Sequence, residues 1–226
     1  KPATAYTTDY GDYAYWQRAA PQRQTHEREL AYWRAQLAGP LPLLQLPLDR
    51  PRPALQSYSG ALRSAPIPQE LTQQLKTLAR KESSTFFMLM LAAFKVMLHR
   101  YSHQDDIVVG TTLTNRNHVE TAHMIGLFQN TLVLRTDLSG HPSFRHLLRQ
   151  VRQVALDAYD HQTVPFERLI EALQPERNLS YNPLFQAAFV YQNTPERALW
   201  TNALQLDGVE AESLTTHSAT AKFDFT

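Results

Sequence analysis

The alternation of short β-branched runs with longer amphipathic stretches constrains the fold of this 226-residue chain more than any other feature. The strand-like runs cover residues 107–113, 127–135 and 184–191, and the closing residues resemble a fourth strand. The predicted helices begin near Pro68, Ser83 or Ser84, Pro142 and Pro165. Strands that alternate with helices of about 15 residues predict an α/β fold, in which a layered sheet carries helices packed against it.

A proline-rich segment separates this alternating region from the start of the chain. Residues 40–53 contain five prolines with leucines between them. Because proline has no N–H for a helix or an inner strand, we expect the segment to run extended along a groove that covers its leucines. An aromatic stretch over residues 10–16 and a predicted helix over 25–38, which Thr25 would cap, come before it. The predicted organisation is an opening segment and helix over 1–39, an extended segment over 40–60 and a folded unit over 61–226.

The composition argues against several classes of protein. The 22 Lys and Arg residues nearly balance 21 Asp and Glu residues, and a net charge of +1 argues against a dedicated nucleic-acid binder. The absence of cysteine excludes disulfides and cysteine-ligated metals. The most apolar run, residues 86–98, includes Lys95 and is shorter than the ~20 residues that a membrane span needs. We therefore expect a cytoplasmic protein without a membrane partner, and the strand-like last residues lead us to expect part of a longer chain.

The nine histidines are the most obvious candidates for chemistry, but their spacing does not predict a catalytic or metal site. His118 and His123 are five residues apart, so they would point in different directions on a helix and would not form a zinc-binding pair. His99 and His103 have the four-residue spacing, but they lie at a predicted helix end, where the helix dipole favours a structural role. No histidine is followed four residues later by aspartate, which removes the arrangement in which a carboxylate fixes a catalytic histidine. From these spacings together we predict no catalytic residue and no metal site in this chain.

Four segments of the chain match a set of known sequence motifs in order. Residues 10–16 (YGDYAYW) resemble Y-x-D-Y-A-x-W, and residues 125–131 (IGLFQNT) with Arg135 resemble I-G-x-F-V-N-T-x-x-x-R. Residues 161–167 (HQTVPFE) resemble H-Q-D-x-P-F-E, and residues 177–184 (RNLSYNPL) resemble R-D-x-S-R-N-P-L. These are motifs of the condensation domains of nonribosomal peptide synthetases. By this resemblance the chain is most of the C-terminal lobe of such a domain, a chloramphenicol-acetyltransferase-like lobe that is incomplete at its C-terminus.

The resemblance implies the reaction of the parent domain, in which an amine on one carrier-tethered aminoacyl group attacks the thioester of another aminoacyl or peptidyl group. The catalytic H-H-x-x-x-D-G motif of the family belongs to the N-terminal lobe and is absent here, so the chain alone is expected to be inactive. This lobe would supply a wall of the substrate tunnel and part of the carrier docking surface. The motif variant is most similar to domains that join two L-residues.

The implied partners are the N-terminal lobe, the peptidyl carrier domains and an adjacent adenylation domain. No cofactor is expected to bind directly, because the substrates are attached to the phosphopantetheine of the carriers. Two alternatives stay open at this point. One is a non-catalytic lobe that binds carrier proteins, and the other is a fragment of a related epimerisation, cyclisation or free-standing acyltransferase domain.

The resemblance also implies which residues matter. The tunnel or substrate-binding candidates are Asn130, Thr131, Ser180 and Asn182. The structural motif residues are Tyr10, Asp12, Tyr13, Trp16, Gly126, Phe128, Arg135, His161, Gln162, Pro165, Phe166, Glu167, Arg177, Pro183 and Leu184.

Several of these positions admit two interpretations. Asn130 lies on an apolar strand face, where an amide either borders a wet tunnel or is fully hydrogen-bonded inside the core. Ser180 and Asn182 either line the tunnel or build a turn, and we expect the His161 ring to bond neighbouring backbone. Thr163 stands where the family has aspartate. It would still cap the next helix, but the negative charge near the helix start would be lost.

The aromatic residues of the first motif are expected to pack at the junction between the two lobes. Arg177 would either be solvated or pair with a carboxylate at that junction. A lobe without its partner would expose apolar area around residues 10–16 and near Phe223 and Phe225, and we expect it to self-associate.

Overall fold

The computed structural model describes residues 9–192 and 219–226. Its helices are α1 (Tyr10–Arg18), α2 (Ala20–Gln36), α3 (Gln69–Lys81), α4 (Phe86–Ser102), α5 (Phe144–Asp160) and α6 (Phe166–Leu173), with a short 3-10 helix at Val119–His123. Its strands are β1 (Asp106–Leu113), β2 (Asn130–Asp137) and β3 (Ala187–Ala188). Helices packed on a sheet confirm the predicted α/β architecture. None of the helices in these described residues is long and apolar enough to cross a membrane.

The described sheet has three strands in the order β2-β1-β3. β1 and β2 pair antiparallel along their full length, with Leu113 opposite Asn130 at one end. β3 pairs parallel to β1 over two residues, so the strand predicted over 184–191 is much shorter than expected. The reason lies just before it, because Asn182 Oδ1 accepts from the Leu184 N–H at 3.2 Å and holds this backbone in a turn.

Two helices at the start of the chain differ from the prediction. The aromatic stretch over residues 10–16 lies in α1, whose start is fixed by a capping box in which Asp9 and Asp12 each accept from the backbone N–H of the other. α2 begins well before the predicted cap, Thr25, because Pro21 occupies its first turn, where no N–H is needed. The Thr25 hydroxyl instead donates to the Pro21 carbonyl.

Two further boundaries are corrected by local hydrogen bonds. The cap of α4 is Thr85, whose hydroxyl accepts from a first-turn N–H at 3.2 Å, and neither Ser83 nor Ser84 has this role. β2 begins at Asn130, later than predicted, because the Leu127 carbonyl accepts a side-chain hydrogen bond from α1.

α4 and α5 pack against each other and against the sheet, and α2 packs on α6. The core between them consists of buried aliphatic side chains, including Leu89, Leu91, Leu98, Ile107, Val109, Leu132, Leu147 and Leu148. α4 also carries a fully buried amine, because Lys95 Nζ donates to the Leu134 carbonyl at 2.6 Å and to Thr136 Oγ1 at 2.8 Å. Burial lowers the pKa of Lys95 to about 7. A titratable side chain therefore joins α4 to β2.

The proline-rich segment between α2 and α3 lies against this core and forms no helix. Leu44 is buried, and its N–H donates to Gln186 Oε1 at 2.7 Å. Gln104 accepts from the Gln45 N–H at 2.8 Å and donates to the Leu43 carbonyl at 3.0 Å. The expected cover is therefore present in part, because Leu41 and Leu46 are half-buried against the core whereas Leu48 is 57% exposed. Glutamine side chains supply hydrogen bonds that the segment cannot make to itself.

The last described residues pack against the same segment. Arg52 and Asp224 form an ion pair, and Gln56 Nε2 donates to the Lys222 carbonyl at 3.2 Å. A backbone N–H of β3 donates to the Phe225 carbonyl at 2.9 Å, so the predicted fourth strand is present as a single bridge.

Candidate functional site

The first and second motifs meet in an aromatic cluster. The ring centroids of Tyr10 and Tyr13 lie 5.4 Å and 4.7 Å from that of Phe128, and the Tyr10 hydroxyl donates to the Leu127 carbonyl at 3.0 Å. Gly126 permits this approach, because a Cβ atom there would lie 2.2 Å from the Tyr10 ring. The residues of these two motifs thus form one packed unit between α1 and the start of β2.

The loop that precedes β2 is held in place by its own side chains. Arg116 lies over Phe128, with its guanidinium carbon 4.2 Å from the ring centroid, and it donates to the Thr121 carbonyl. Thr121 Oγ1 donates to the His118 carbonyl at 2.7 Å, and the His118 ring lies edge-on against Trp16. In the part of the chain that the structure describes, no group of three His, Asp or Glu residues could hold a metal ion.

This loop and α1 expose several large apolar side chains. Val119, Ile125 and Leu127 are 86%, 95% and 73% exposed, and Tyr15 is 81% exposed. We call the three loop residues, together with Trp16, whose ring lies against that of His118, the apolar face. Tyr15 lies on the side of α1 away from Tyr10 and Tyr13. Exposed apolar area around the first motif was predicted, and its concentration here indicates a contact with another protein surface.

The end of the chain departs in part from that expectation. The ring of Phe223 lies 5.1 Å from that of Phe185 and packs against the core, while Phe225 is exposed and stacks on Phe94. The bridge to β3 explains why this end of the chain is less exposed than predicted, because it draws these residues onto the sheet.

Asn130, the first tunnel candidate, is buried at the start of β2. Its Nδ2 donates to the carbonyls of Gln162 and Val164 at 2.9 Å and 2.8 Å. Its Oδ1 accepts from the N–H groups of Thr131 and Phe166 at 2.9 Å and 3.1 Å. Both donor and both acceptor positions of the amide are therefore used inside the chain, and they hold the backbone of the third motif against the sheet.

Glu29 of α2 binds the third motif from another side. Its Oε1 accepts from the Thr163 hydroxyl at 2.8 Å, and its Oε2 accepts from the N–H groups of Thr163 and Val164 at 3.0 Å and 3.3 Å. The predicted capping role of Thr163 is wrong, because the first N–H of α6, that of Phe166, donates to Asn130. The negative charge expected to be missing near the start of α6 is supplied by Glu29.

His161 bonds backbone as expected, with Nδ1 2.7 Å from the Asp157 carbonyl oxygen. Its ring stacks on that of Tyr32 with centroids 4.0 Å apart, and Trp33 Nε1 donates to the His161 carbonyl at 2.9 Å. Gln162 donates to a carbonyl of α5 at 2.7 Å. The third motif therefore contacts α2, α5 and β2 at once.

The charged motif residues have clear positions. Arg135 contacts Asp106 through Nε and Nη2 at 3.0 Å and 2.8 Å, and it also donates to a carbonyl at the end of α2. Pro165 is the N-cap of α6, and Glu167 is exposed in the first turn, where the helix dipole favours a carboxylate. Arg177 is exposed, and no ion pair joins it to the described residues.

The fourth motif lies against the proline-rich segment. Ser180 Oγ donates to the Pro53 carbonyl, and Asn182 accepts from the Leu184 N–H, so both residues stabilise the turn before β3. Pro183 and Leu184 line a hollow of about 430 Å³ beside the end of α2. The tunnel role of Ser180 and Asn182, like that of Asn130, stays a prediction.

The first and third motifs also share a narrow crevice. It is lined by Tyr13 and Trp16 from α1, by His118 from the loop, by Thr163 and by His26 of α2. Burial lowers the pKa of His26, which favours an uncharged ring next to this crevice.

Sequence reasoning missed the residues that hold the motifs in place. Glu29 lies four residues before Trp33 and therefore on the same helix face, so a charge on the buried side of α2 was a readable signal. Arg116 and Gln186 gave no such signal, because their partners are set by loop geometry.

Comparisons with known proteins identify the family to which this chain belongs. A family model described as Condensation domain matches residues 1–226. One component of the linear gramicidin synthase of Brevibacillus parabrevis is 51% identical over 217 residues, which are 96% of this chain and 4% of that protein. A holo four-domain nonribosomal peptide synthetase, solved with AMP and glycine, matches with a TM-score of 0.76 and 27% identity, over 83% of this chain and 15% of that chain. The X-domain from teicoplanin biosynthesis matches with a TM-score of 0.72 and 30% identity, over 83% of this chain and 43% of that one. The chain, which spans a small part of these relatives, belongs to the condensation domain family.

Proposed function

We propose that this chain is most of the C-terminal lobe of a condensation domain that forms a peptide bond between two aminoacyl or peptidyl groups held as thioesters on carrier domains. Both joined residues are L-configured in this proposal, and the catalytic histidine belongs to the N-terminal lobe. The phosphopantetheine of the carriers delivers both substrates, so this lobe holds no cofactor of its own. An adjacent adenylation domain supplies the activated amino acid.

The observation that carries the proposal is the apolar face. The first motif and the loop of the second motif build it, and they leave Val119, Ile125 and Leu127 almost fully in water. Covering side chains of this size stabilises a contact by about 1.5–3 kcal/mol each. A second lobe on this surface would provide that cover.

The absence of the family's catalytic motif also supports a second lobe. The amine nitrogen bonds to the thioester carbonyl carbon, the carbon–sulfur bond breaks, and the thiolate takes up the proton that the amine loses. The family motif pairs such a histidine with an aspartate four residues later, and no histidine in this sequence has that aspartate. His99 Nδ1 does lie 3.4 Å from Asp105 Oδ1, but the same atom is 2.9 Å from the Gln104 carbonyl oxygen at the end of α4. The motif histidine His161 is occupied instead, because it is stacked on Tyr32 and bonded to backbone.

A hollow beside the apolar face is the place that we propose for part of an acyl group. It measures about 390 Å³ and lies between the end of β1 and the loop before β2. Leu113, Leu127 and Val190 give it apolar walls, whereas Arg116 and Gln129 give it hydrogen-bond donors. Such a mixture suits an amino-acid side chain together with a peptide carbonyl.

The test compares this chain alone with the same chain joined to a catalytic N-terminal lobe, each mixed with two loaded carrier domains. We expect the joined protein to form a dipeptidyl carrier, measured by intact-protein mass spectrometry, and the chain alone to form none. An L-configured donor should be used at least tenfold faster than its D-isomer.

Amide formation by the chain alone would overturn the proposal. A joined protein that inverts the donor residue and makes no amide would instead establish the epimerisation alternative. Binding of carriers without any change in them would establish the non-catalytic one.

A further inference from the structure

The hollow of about 390 Å³ between the end of β1 and the loop before β2 has an unusual set of polar side chains. They are Thr112, Thr114, Arg116, Gln129 and Gln192, and no carboxylate of the described residues lines the hollow with them. The side chains of Thr112, Thr114 and Gln129 form no hydrogen bond within the part of the chain that the structure describes. The hollow therefore offers hydrogen-bonding groups that these residues leave unused.

The pairing of β1 with β2 brings these groups together. Thr112 lies opposite Thr131 near the end of the antiparallel ladder, so both side chains are on one face of the sheet. Thr114 directly follows β1, and Gln129 directly precedes β2, so they lie at the same end of that ladder. Gln129 stands where the second motif has valine. Its amide is therefore a feature of this chain and not of the motif.

Arg116 adds a positive charge to the hollow. It is half-buried, with its guanidinium held over the Phe128 ring and one amino group donating to the Thr121 carbonyl. Among the described residues, no carboxylate lies within ion-pair distance of it. A guanidinium has five N–H donors, and those that face the hollow attract a carbonyl or carboxylate oxygen.

We propose that this hollow selects an acyl residue whose side chain ends in a carbonyl or carboxylate oxygen, as in glutamine or glutamate, and that Gln129 is the selecting residue. This inference rests on the proposed function, which places part of the acyl group here, and it names the class of side chain. The Gln129 amide and the Thr114 hydroxyl donate to that oxygen, and Arg116 supplies the charge. The apolar walls of the hollow cover the methylene groups of such a side chain.

The neighbouring apolar face strengthens this selection. Leu127 belongs both to that face and to the wall of the hollow, so a second lobe on the apolar face would also close one side of the hollow. A polar group that is closed off from water discriminates against a ligand without the matching oxygen, because it then stays unpaired. Methionine is about as long as glutamine but has no such oxygen, and it would leave the Gln129 amide unpaired.

The test compares acyl residues in the complete condensation domain. Donor carriers are loaded with the L-forms of glutamine, glutamate, methionine or leucine, against one fixed acceptor carrier, and the same series is then loaded on the acceptor. Intact-protein mass spectrometry of the dipeptidyl carrier gives kcat/KM. The variant Gln129→Val introduces the motif residue. Its control is Gln74→Val, because Gln74 is exposed on α3 and lies outside this hollow.

We expect kcat/KM for the glutamine and glutamate donors to be about tenfold higher than for the methionine donor. Gln129→Val should reduce this preference to less than about threefold, because the unpaired amide is removed. Its kcat/KM for the leucine donor should not fall, which excludes a folding defect. Gln74→Val should keep the full preference.

Equal kcat/KM for glutamine and methionine donors in the unmodified domain would overturn the inference, as would a preference that survives Gln129→Val. A preference that appears only for the acceptor residue would also overturn it. If the domain forms no amide from any donor, the proposed function fails. NMR titration with the pantetheine thioesters of glutamine and methionine then tests the hollow by itself. The signal of the Gln129 side-chain amide should shift with the first thioester only, and equal shifts would contradict the selection.

Discussion

The apolar face and a cluster of cations on α3 and α5 differ in what they expose and in how they are built. We call this cluster the basic face, and its members are Lys76, Arg80, Lys81, Arg145, Arg149 and Arg152. The apolar face lies partly on a loop whose backbone is fixed by the side chains of Tyr10, Arg116 and Thr121. The basic face lies on two regular helices, α3 and α5, which pack against α4. A surface of defined, irregular shape suits a partner that stays. Charges spaced along regular helices depend less on shape, because long-range attraction tolerates small errors in fit.

The two surfaces also differ in the free energy that each contact on them would contribute. Burial of a large aliphatic side chain contributes about 1.5–3 kcal/mol, whereas an exposed ion pair contributes roughly 0–1 kcal/mol. Substitutions at the apolar face should therefore lower the rate of condensation more than substitutions at the basic face.

The largest effect is expected from Ile125→Asp combined with Leu127→Asp in the complete domain. Two lost burials predict that the rate of condensation falls on the order of a hundredfold or more, because the lobes no longer associate. The control is Leu62→Asp, since Leu62 and Leu127 are both 73% exposed but Leu62 lies outside the apolar face. Steady-state rates with loaded carriers measure both. A double variant as fast as the control would show that no partner covers this surface.

The next largest effect is expected on the pH dependence of stability. It concerns Lys95, whose hydrogen bonds join α4 to β2. Its folded-state pKa of about 7 lies below the ordinary value, so the unfolded chain binds more protons between roughly pH 7 and 10. The free energy of unfolding should therefore rise with pH across this window, by an amount on the order of a few kcal/mol. Lys95→Met should remove that rise, and Lys81→Met, at an exposed site, should keep it. Urea unfolding at several pH values measures the slope, and equal slopes in both variants would contradict the assignment.

Substitution of Asn130 tests how much its hydrogen bonds stabilise the start of β2, next to the apolar face. Asn130→Ala removes an amide whose four hydrogen-bonding positions are all used, so the free energy of unfolding should fall by roughly 1–3 kcal/mol. Gln129→Ala, at the exposed neighbouring position, should change it by less than about 0.5 kcal/mol. Thermal melts and the condensation rate per folded molecule separate two roles. An unchanged melt with a lost rate would favour the tunnel role.

The smallest effect is expected at Thr163. Thr163→Asp restores the family residue but places a second carboxylate against Glu29, which should cost about 1 kcal/mol in the free energy of unfolding. Addition of Glu29→Gln should recover part of that loss, because the like-charge contact disappears. A double variant less stable than Thr163→Asp would show that the loss has another origin.

The sequence predicted the elements that depend on local chemistry. α3 and α6 begin directly after Pro68 and Pro165, because proline at a helix start is a local preference. The prediction of a strand over 184–191 was too long, because the Asn182 side chain accepts hydrogen bonds from the first N–H groups of that run. Apolar content predicts that such a run is buried, but it does not decide between a ladder and a turn.

The candidate site was predictable in part for a similar reason. The motif residues were identified from the resemblance, and their aromatic members carry their own packing signal. Glu29 and Thr163 are 134 residues apart, and nothing local to either residue indicates the other. The hydrogen bonds that fix the third motif therefore required the structure.

The ion pair between Arg52 and Asp224 has a consequence for synthesis on the ribosome. These residues are 172 positions apart, so at 5–20 residues per second the proline-rich segment is made roughly 10–30 s before Asp224 exists. Its leucines lack their final cover during that interval. The prolines limit the danger, because a backbone with few N–H groups cannot pair readily with the strand of a neighbouring nascent chain. Proline at these positions would thus protect the nascent chain from aggregation while it is still being translated.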